Sequence, residues 1–338
     1  MYIVLPSVCK LTKHRVVSAH PPRLTNLQRY RSALRKVKKT DFMFPATPLG
    51  RSLPPITSGL QGRSTRIMSI LNVTPDSFSD GGKNFNLDEA SLAARITSHI
   101  AAGATIIDVG GQSTRPGAVQ VSPEEELSRI LPAIRIIRSL KEADNIAISV
   151  DTYRARVAEE AIRAGADIVN DVSAGTMDRD MFPTVARLGC TVCLMHMRGE
   201  PETMDSLADY GKKGVIKSVA IELEQRIAAA EEAGIRRWRI IVDPGIGFAK
   251  NQEHNLEILR NLEQLYSWPD LKSLPFLVGT SRKRFIGNVT GTESADQRAW
   301  GTAAAITAAI HGGADILRVH DVEEMAQVAK MADALYRV

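Results

Sequence analysis

Gly279-Thr280-Ser281-Arg282-Lys283-Arg284-Phe285-Ile286-Gly287 follows an apolar run at Phe276 to Val278 and leads into a helical pattern. An apolar strand that breaks at glycine into a turn rich in hydroxyls and cations reads as an anion seat. A second seat closes the last apolar run, Ala314-Asp315-Ile316-Leu317-Arg318-Val319-His320-Asp321, where a guanidinium and an imidazole stand two residues apart. Positions i and i+2 of a strand face the same side, so Arg318 and His320 point together. Two cationic strand ends in a chain that repeats strand and helix predict a barrel that handles a phosphorylated substrate, because the loops after its strands build the site.

From Ile67 onward, short apolar runs alternate with helical stretches, the pattern of parallel strands joined by crossover helices. Eight strands are predicted: Ile67 to Val73, Thr105 to Val109, Ile146 to Val150, Ile168 to Asn170, Thr191 to Met195, Arg239 to Val242, Phe276 to Val278 and Ile316 to Val319. Helices are predicted over Leu87 to Ala102, Pro123 to Ser139, Arg154 to Ala164, Gly214 to Ala233, His254 to Leu265, Asp296 to His311 and Val322 to Leu335. Eight rounds in about 270 residues is the size of an α/β TIM (β/α)8 barrel. Ala102-Gly103-Ala104, Ala164-Gly165-Ala166 and Gly312-Gly313-Ala314 echo one another before three strands. They read as helix endings rather than as a sequence repeat.

Residues 1–65 differ in kind from the barrel at 66–338. Residues 1–66 hold 13 Lys and Arg against the single acid Asp41, whereas the remainder holds 30 against 37. Prolines at 21, 22, 45, 48, 54 and 55 interrupt any period, so this basic leader is expected to be mostly disordered. Its Arg-rich, nearly acid-free composition suits a mitochondrial transit segment, and a solvated tail or the remnant of a longer fused polypeptide suits it equally, leaving a mitochondrial or a cytoplasmic location open. A mildly acidic barrel is not the basic face that nucleic acid requires. No apolar run approaches the ~18 residues of a membrane span. Cys9, Cys190 and Cys193 form no framework of spaced pairs, which points to a reducing compartment. Cys190 and Cys193 should face opposite sides of one strand, so they read as buried structure rather than as a redox or zinc pair.

Polar groups stand at nearly every strand end. The first ends in Asn72-Val73-Thr74-Pro75-Asp76-Ser77-Phe78-Ser79-Asp80-Gly81-Gly82, the second in Asp108-Val109-Gly110-Gly111-Gln112-Ser113-Thr114-Arg115-Pro116-Gly117. The next ones end in Asp151, Asn170-Asp171, His196 and Asp243-Pro244-Gly245-Ile246-Gly247-Phe248. Singly, Asp171 and Asp321 read as turn starters or helix caps. His196 reads as a locally hydrogen-bonded ring rather than a metal ligand, and Asp108 suits either a structural hydrogen bond or a catalytic role. Gly245-Ile-Gly-Phe248 lacks the third glycine of a dinucleotide fingerprint.

Taken in order and spacing, Asn72-Val-Thr-Pro-Asp-Ser-Phe-Ser-Asp-Gly-Gly82, Gly110-Gly-Gln-Ser-Thr-Arg-Pro-Gly117, Val150-Asp-Thr152, Val169-Asn-Asp-Val-Ser173, Asp243-Pro-Gly-Ile-Gly-Phe248, Ser281-Arg-Lys283 and Arg318-Val-His-Asp321 resemble dihydropteroate synthase over residues 66–338. Gln112 departs from the acid that many relatives carry there, which puts local loop hydrogen bonding in question. The resemblance implies a TIM barrel, usually a homodimer and a sulfonamide target, that joins 6-hydroxymethyl-7,8-dihydropterin diphosphate to 4-aminobenzoate with magnesium. It implies a pterin pocket of Asp151, Asn170, Asp243 and Lys283, with Met195 against the ring; from the residues alone Met195 is equally plain barrel core. The diphosphate falls to Arg318, His320 and the turn at Gly279 and Ser281, with Thr114 and Arg115 closing over it and Asn72 supplying an oxygen to Mg2+. Phe78, Pro116 and Phe248 surround the aminobenzoate ring, with Ser281 near its carboxylate, and Arg115, Asp151 and Lys283 carry the chemistry. A corrinoid-linked pterin methyltransferase would share the acids but needs no diphosphate seat, and a silent pterin-binding paralogue would need neither lid.

Overall fold

The structure is a computed structural model that describes residues 64–74, 89–112, 120–200 and 203–337. The leader read as a transit segment, with Cys9, lies outside the described residues. Eight parallel strands form one sheet: β1 (Arg66–Asn72), β2 (Ile106–Gly110), β3 (Ala147–Asp151), β4 (Ile168–Asp171), β5 (Thr191–Met195), β6 (Ile240–Asp243), β7 (Leu277–Val278) and β8 (Ile316–Val319). Strands β1 to β6 pair in sequence, β7 pairs with β8, and β8 pairs with β1. A bridge from Val242 to Phe276 completes the circle, so the sheet closes into a (β/α)8 barrel.

The helices are α1 (Glu89–Ala101), α2 (Pro123–Ser139), α3 (Ala155–Ala164), α4 (Met181–Leu188), α5 (Val215–Glu232), α6 (Gln252–Arg260), α7 (Leu262–Tyr266), α8 (Arg284–Thr290), α9 (Ala299–His311) and α10 (Val322–Tyr336). Local chemistry sets their ends. Ser122 caps α2 by accepting from Glu125 N at 3.1 Å, and Pro123 occupies the first turn, where its missing N–H costs nothing. Gly103, Gly165 and Gly313, the three echoing positions, all adopt φ near +110°, which lets the chain leave a helix and turn into a strand.

Two differences from the expected elements have plain causes. The helix expected over His254 to Leu265 is two, broken at Asn261, whose backbone leaves the helical region. Helix α4 was not expected, because Pro183 sits in an eight-residue stretch; the proline falls in the first turn, whose N–H groups have no partner within the helix. No described helix is long and apolar enough to cross a membrane.

The strand period divides the core into two. Outward residues such as Ile107, Ile148, Val169 and Val192 pack against the helices. Inward, each strand gives one residue to a buried ring of Met68, Ile106, Ala147, Ile168, Cys193, Ile241, Leu277 and Ile316. Each buried Ile or Leu there contributes roughly 2 kcal/mol, so the ring plugs the barrel and forces any site above it. Cys190 packs in the outer layer while Cys193 lies in this ring, on the opposite faces expected; burial pushes the Cys190 thiol up to about 11.

Candidate active site

Two residues beyond the apolar ring, the same inner face carries Ile70, Asp108, Ser149, Asn170, Met195, Asp243, Gly279 and Arg318. Above the plug the lining thus becomes polar. Asn72, Gly110, Asp151 and Asn170 lie side by side in register across β1 to β4.

Arg318 enters this layer between two carboxylates. Its Nε donates to Asp108 Oδ2 at 2.7 Å and its Nη2 to Asp151 Oδ2 at 2.7 Å. Asp108, fully buried, also accepts from Ser149 Oγ at 2.5 Å and from Asn170 Nδ2 at 3.1 Å. Asp151 Oδ1 is buried with no hydrogen-bond partner among the described residues. Burial lifts the Asp151 carboxyl to about 7, with Arg318 opposing and Asp108 adding to the rise.

Across the mouth, burial likewise raises the Asp243 carboxyl, opposed chiefly by Lys283. Its Oδ1 accepts from Gly245 N at 2.7 Å. Lys283 is drawn down to about 8 by burial, with Asp243 opposing; its Nζ donates to the Ile246 carbonyl and lies 4.8 Å from the Phe248 ring centroid. Met195 packs with Tyr153 and Val172, with Phe248 against them, one layer above the Cys193 position in the plug. The lining therefore offers paired acids, an amide, two cations and an apolar wall.

A hydroxyl and an imidazole lie beside them. Ser281 Oγ accepts from His320 N at 3.1 Å and sits 3.0 Å from His320 Nδ1. The turn that carries Ser281 and Lys283 is held by Arg282, whose φ of +60° is unusual for a residue with a Cβ. Arg282 pairs with Asp321, so of these two neighbouring cations only Lys283 reaches the mouth.

These features have close counterparts. A family model described as pterin binding enzyme matches residues 68–320. The dihydropteroate synthase of Synechocystis sp. is 46% identical over 300 residues, covering 88% of this chain and 98% of the relative. This chain belongs to the pterin-binding enzyme family, within its dihydropteroate synthases. The mitochondrial folate synthesis bifunctional protein of Arabidopsis thaliana is 48% identical over 278 residues, 81% of this chain and 50% of that protein. The chain spans 36% to 57% of the length of the fungal and plant folate synthesis proteins it matches. A dihydropteroate synthase from Clostridium difficile, solved with pteroic acid, superposes with a TM-score of 0.73 at 42% identity, covering 82% of this chain and 99% of that one. Other solved dihydropteroate synthases hold 4-aminobenzoate, 7,8-dihydropteroate or a sulfonamide drug.

Among the residues a dihydropteroate synthase resemblance singles out, Asp151, Asn170, Met195, Asp243, Phe248, Gly279, Ser281, Lys283, Arg318 and His320 cluster at the C-terminal mouth of the barrel, with Asn72 at the end of β1. Phe78, Thr114, Arg115 and Pro116 lie outside the described residues. Asp108, whose role strand spacing left open, is the buried hub that orients Arg318; its place two residues after Ile106 on the inner face was the available signal. Lys250 and Ser149 carried no signal of their own.

Other expectations sort as follows. Asp171 starts a turn by accepting from Ser173 N and Gly175 N. His196 is hydrogen-bonded, but its partners Glu222 and Lys250 lie 26 and 54 residues away, so the bonds are tertiary and not the local ones expected. Asp321 stands at the start of α10 but its side chain caps nothing there and pairs with Arg282 instead, because that guanidinium reaches it first. Gln112 bonds Tyr153, Val121 and Arg154, so the amide fills the role an acid could not, donating as well as accepting.

Proposed function

We propose that this barrel joins 6-hydroxymethyl-7,8-dihydropterin diphosphate to 4-aminobenzoate, giving 7,8-dihydropteroate and diphosphate in folate synthesis. The observation that carries the reading is the gathering of Asp151, Asn170, Asp243 and Lys283 beside Arg318, Ser281 and His320 above one apolar plug. A pterin edge presents donors and acceptors that carboxylates and an amide match in pairs. The unpartnered Asp151 Oδ1 is an acceptor awaiting such a donor. Met195 supplies a polarisable face to the ring. Diphosphate falls to Ser281, His320 and Arg318, and the family resemblance adds Thr114 and Arg115 to it and assigns the aminobenzoate ring to Phe248, Phe78 and Pro116.

In this reading the C–O bond to diphosphate breaks first, its electron pair leaving with the oxygen. Charge left on the pterin methylene spreads over the ring and is stabilised by Asp151, and the amine nitrogen then bonds to that carbon and sheds a proton. Little acid or base strength is required; positioning, exclusion of water and neutralisation of the leaving charge suffice. Asn72 supports a place for Mg2+: its Oδ1 lies 3.2 Å from where a Cβ on Gly110 would stand, with the Asp151 carboxylate, itself held by Arg318, close by. Mg2+ commonly takes one or two such protein ligands together with phosphates and water. Bound by Asn72, it would neutralise charge on the diphosphate.

Diphosphate release from the two substrates, measured with and without Mg2+, tests the reading. Release that requires 4-aminobenzoate supports it; no release, or release indifferent to 4-aminobenzoate, overturns it. We also propose that the enzyme is a homodimer through exposed apolar residues of its last helices, with Trp300 of α9 88% exposed and Val289 of α8 and Met331 and Leu335 of α10 also exposed. A mitochondrial location is supported by the basic leader and by the plant relatives described as mitochondrial. Failure of residues 1–65 to carry a fluorescent protein into mitochondria would remove it.

A further inference from the structure

Behind the Asp243 carboxylate runs a line of charged groups that the proposed reaction does not use. His196, 3% exposed, has Nε2 at 2.9 Å from Glu222 Oε2 and Nδ1 at 2.9 Å from Lys250 Nζ. Lys250, 5% exposed, also donates to the Phe248 carbonyl at 2.9 Å. Arg198 closes the far end on Glu222 and lies 4.0 Å over the Tyr210 ring. A lysine in such a place is costly: burial draws Lys250 down to about 7, and burial, then Lys250, draws His196 down to about 4. The imidazole is therefore neutral, accepting from Lys250 at Nδ1 and donating from Nε2 to Glu222.

The segment that Lys250 ends needs holding. Gly245 and Gly247 have positive φ, and so does Ala249, at +49°, a strained value for a residue with a Cβ. Side-chain bonds clamp it at nearly every step, some from within the segment and some from distant chain: Asp243 on Gly245 N, Lys283 on Ile246 O, Asn255 on Gly247 N, Lys250 on Phe248 O and Tyr210 on Ala249 O. Among these clamps, the Lys250 bond is the one that fixes the residue bearing the aromatic ring.

We infer that Lys250 is a positioning residue for the second substrate: braced by His196 and Glu222, it holds the Phe248 backbone so that the aromatic ring stands as a wall for the aminobenzoate. This rests on the assignment of Phe248 to that ring. The pterin acids have hydrogen-bonded or closer-lying cationic partners of their own in Arg318 and Lys283, and Lys250 reaches Asp243 only through space, so loss of the clamp should weigh more on the second substrate than on the pterin.

Lys250→Met keeps the length of the side chain and removes the donor. Kinetics with each substrate varied in turn should show KM for 4-aminobenzoate raised about tenfold and KM for the pterin diphosphate changed less than about twofold, with cooperative melting kept. In a Phe248→Ala background the same change should add less than about twofold, since both act at one place. Equal rises in both KM values, no rise in either, or full additivity with Phe248→Ala each overturn the role of Lys250. Should Phe248→Ala itself leave the 4-aminobenzoate KM unchanged, the Phe248 assignment falls, and the inference with it. If Lys250→Met does not fold, His196→Gln, which loosens the brace, must show the same split or the inference is lost.

Discussion

Asp108 touches nothing that reacts, yet it sets where Arg318 points. Replacing it with Asn would turn an amide nitrogen or a neutral oxygen toward a buried guanidinium and leave Asp151 as its one carboxylate partner. Breaking a buried pair of this kind costs about 3 kcal/mol, so Asp108→Asn should lower the urea midpoint by a corresponding amount and depress kcat/KM for the pterin diphosphate more than for 4-aminobenzoate. Asp151 supplies a second prediction. Its folded pKa, about 7, lies above the ordinary value of 3.8, so between those values the folded chain binds more protons than the unfolded one. Its contribution therefore favours folding most below about pH 3.8 and is lost as pH rises through about 7. Denaturation over that window should show Asp151→Asn losing less stability on raising the pH than the parent does; parallel curves would contradict the assignment. At this scale the sequence named the acids and cations, since each follows an apolar run, but left Asp108 undecided. Period two tells which face a side chain occupies and is silent on which charge will lie across from it.

At the scale of elements, the link from β6 to α6 is a tightly constrained turn. A Cβ on Gly245 would fall 1.9 Å from the His196 carbonyl oxygen, and its φ is +68°. Neither problem can relax without moving β5 or β6. Gly245→Ala should therefore cost at least about 3 kcal/mol, read as a lower melting temperature and a loss of soluble yield; a near-native melt would mean the strand ends are softer than argued. Most elements were legible because their signals are local: Ser122 and Pro123 begin α2, and Gly165 ends α3. Helix α4 escaped notice because its proline reads as a breaker unless the helix start is known to within a residue. The β5 and β6 links were legible as loops, but not the clamp between them, since His196 and Lys250 meet across 54 residues of chain.

For the molecule as a whole, the exposed Trp300 on α9 makes the association proposal testable without disturbing the core. With 88% of its surface open, Trp300→Glu should leave the melting temperature of the isolated barrel nearly unchanged. It should convert the assembly from a dimer to a chain of 36.9 kDa by sedimentation. A parent protein that already sediments at that mass would sink the proposal. The barrel itself follows from the order of the pattern: eight apolar runs, each trailed by a helix, leave parallel strands whose two edges can be satisfied only by each other. That much, together with the polar strand ends, the amino-acid sequence determined by itself, because periodicity, caps and turns act over a few residues. Only the tertiary structure decided that Arg318 pairs with Asp108 across 210 residues, that Arg282 turns aside to Asp321, and that Lys250 meets His196 across 54 residues. Those choices depend on how closure of the sheet sets distant strands side by side, and on which buried charges then find a partner close enough to offset the loss of water.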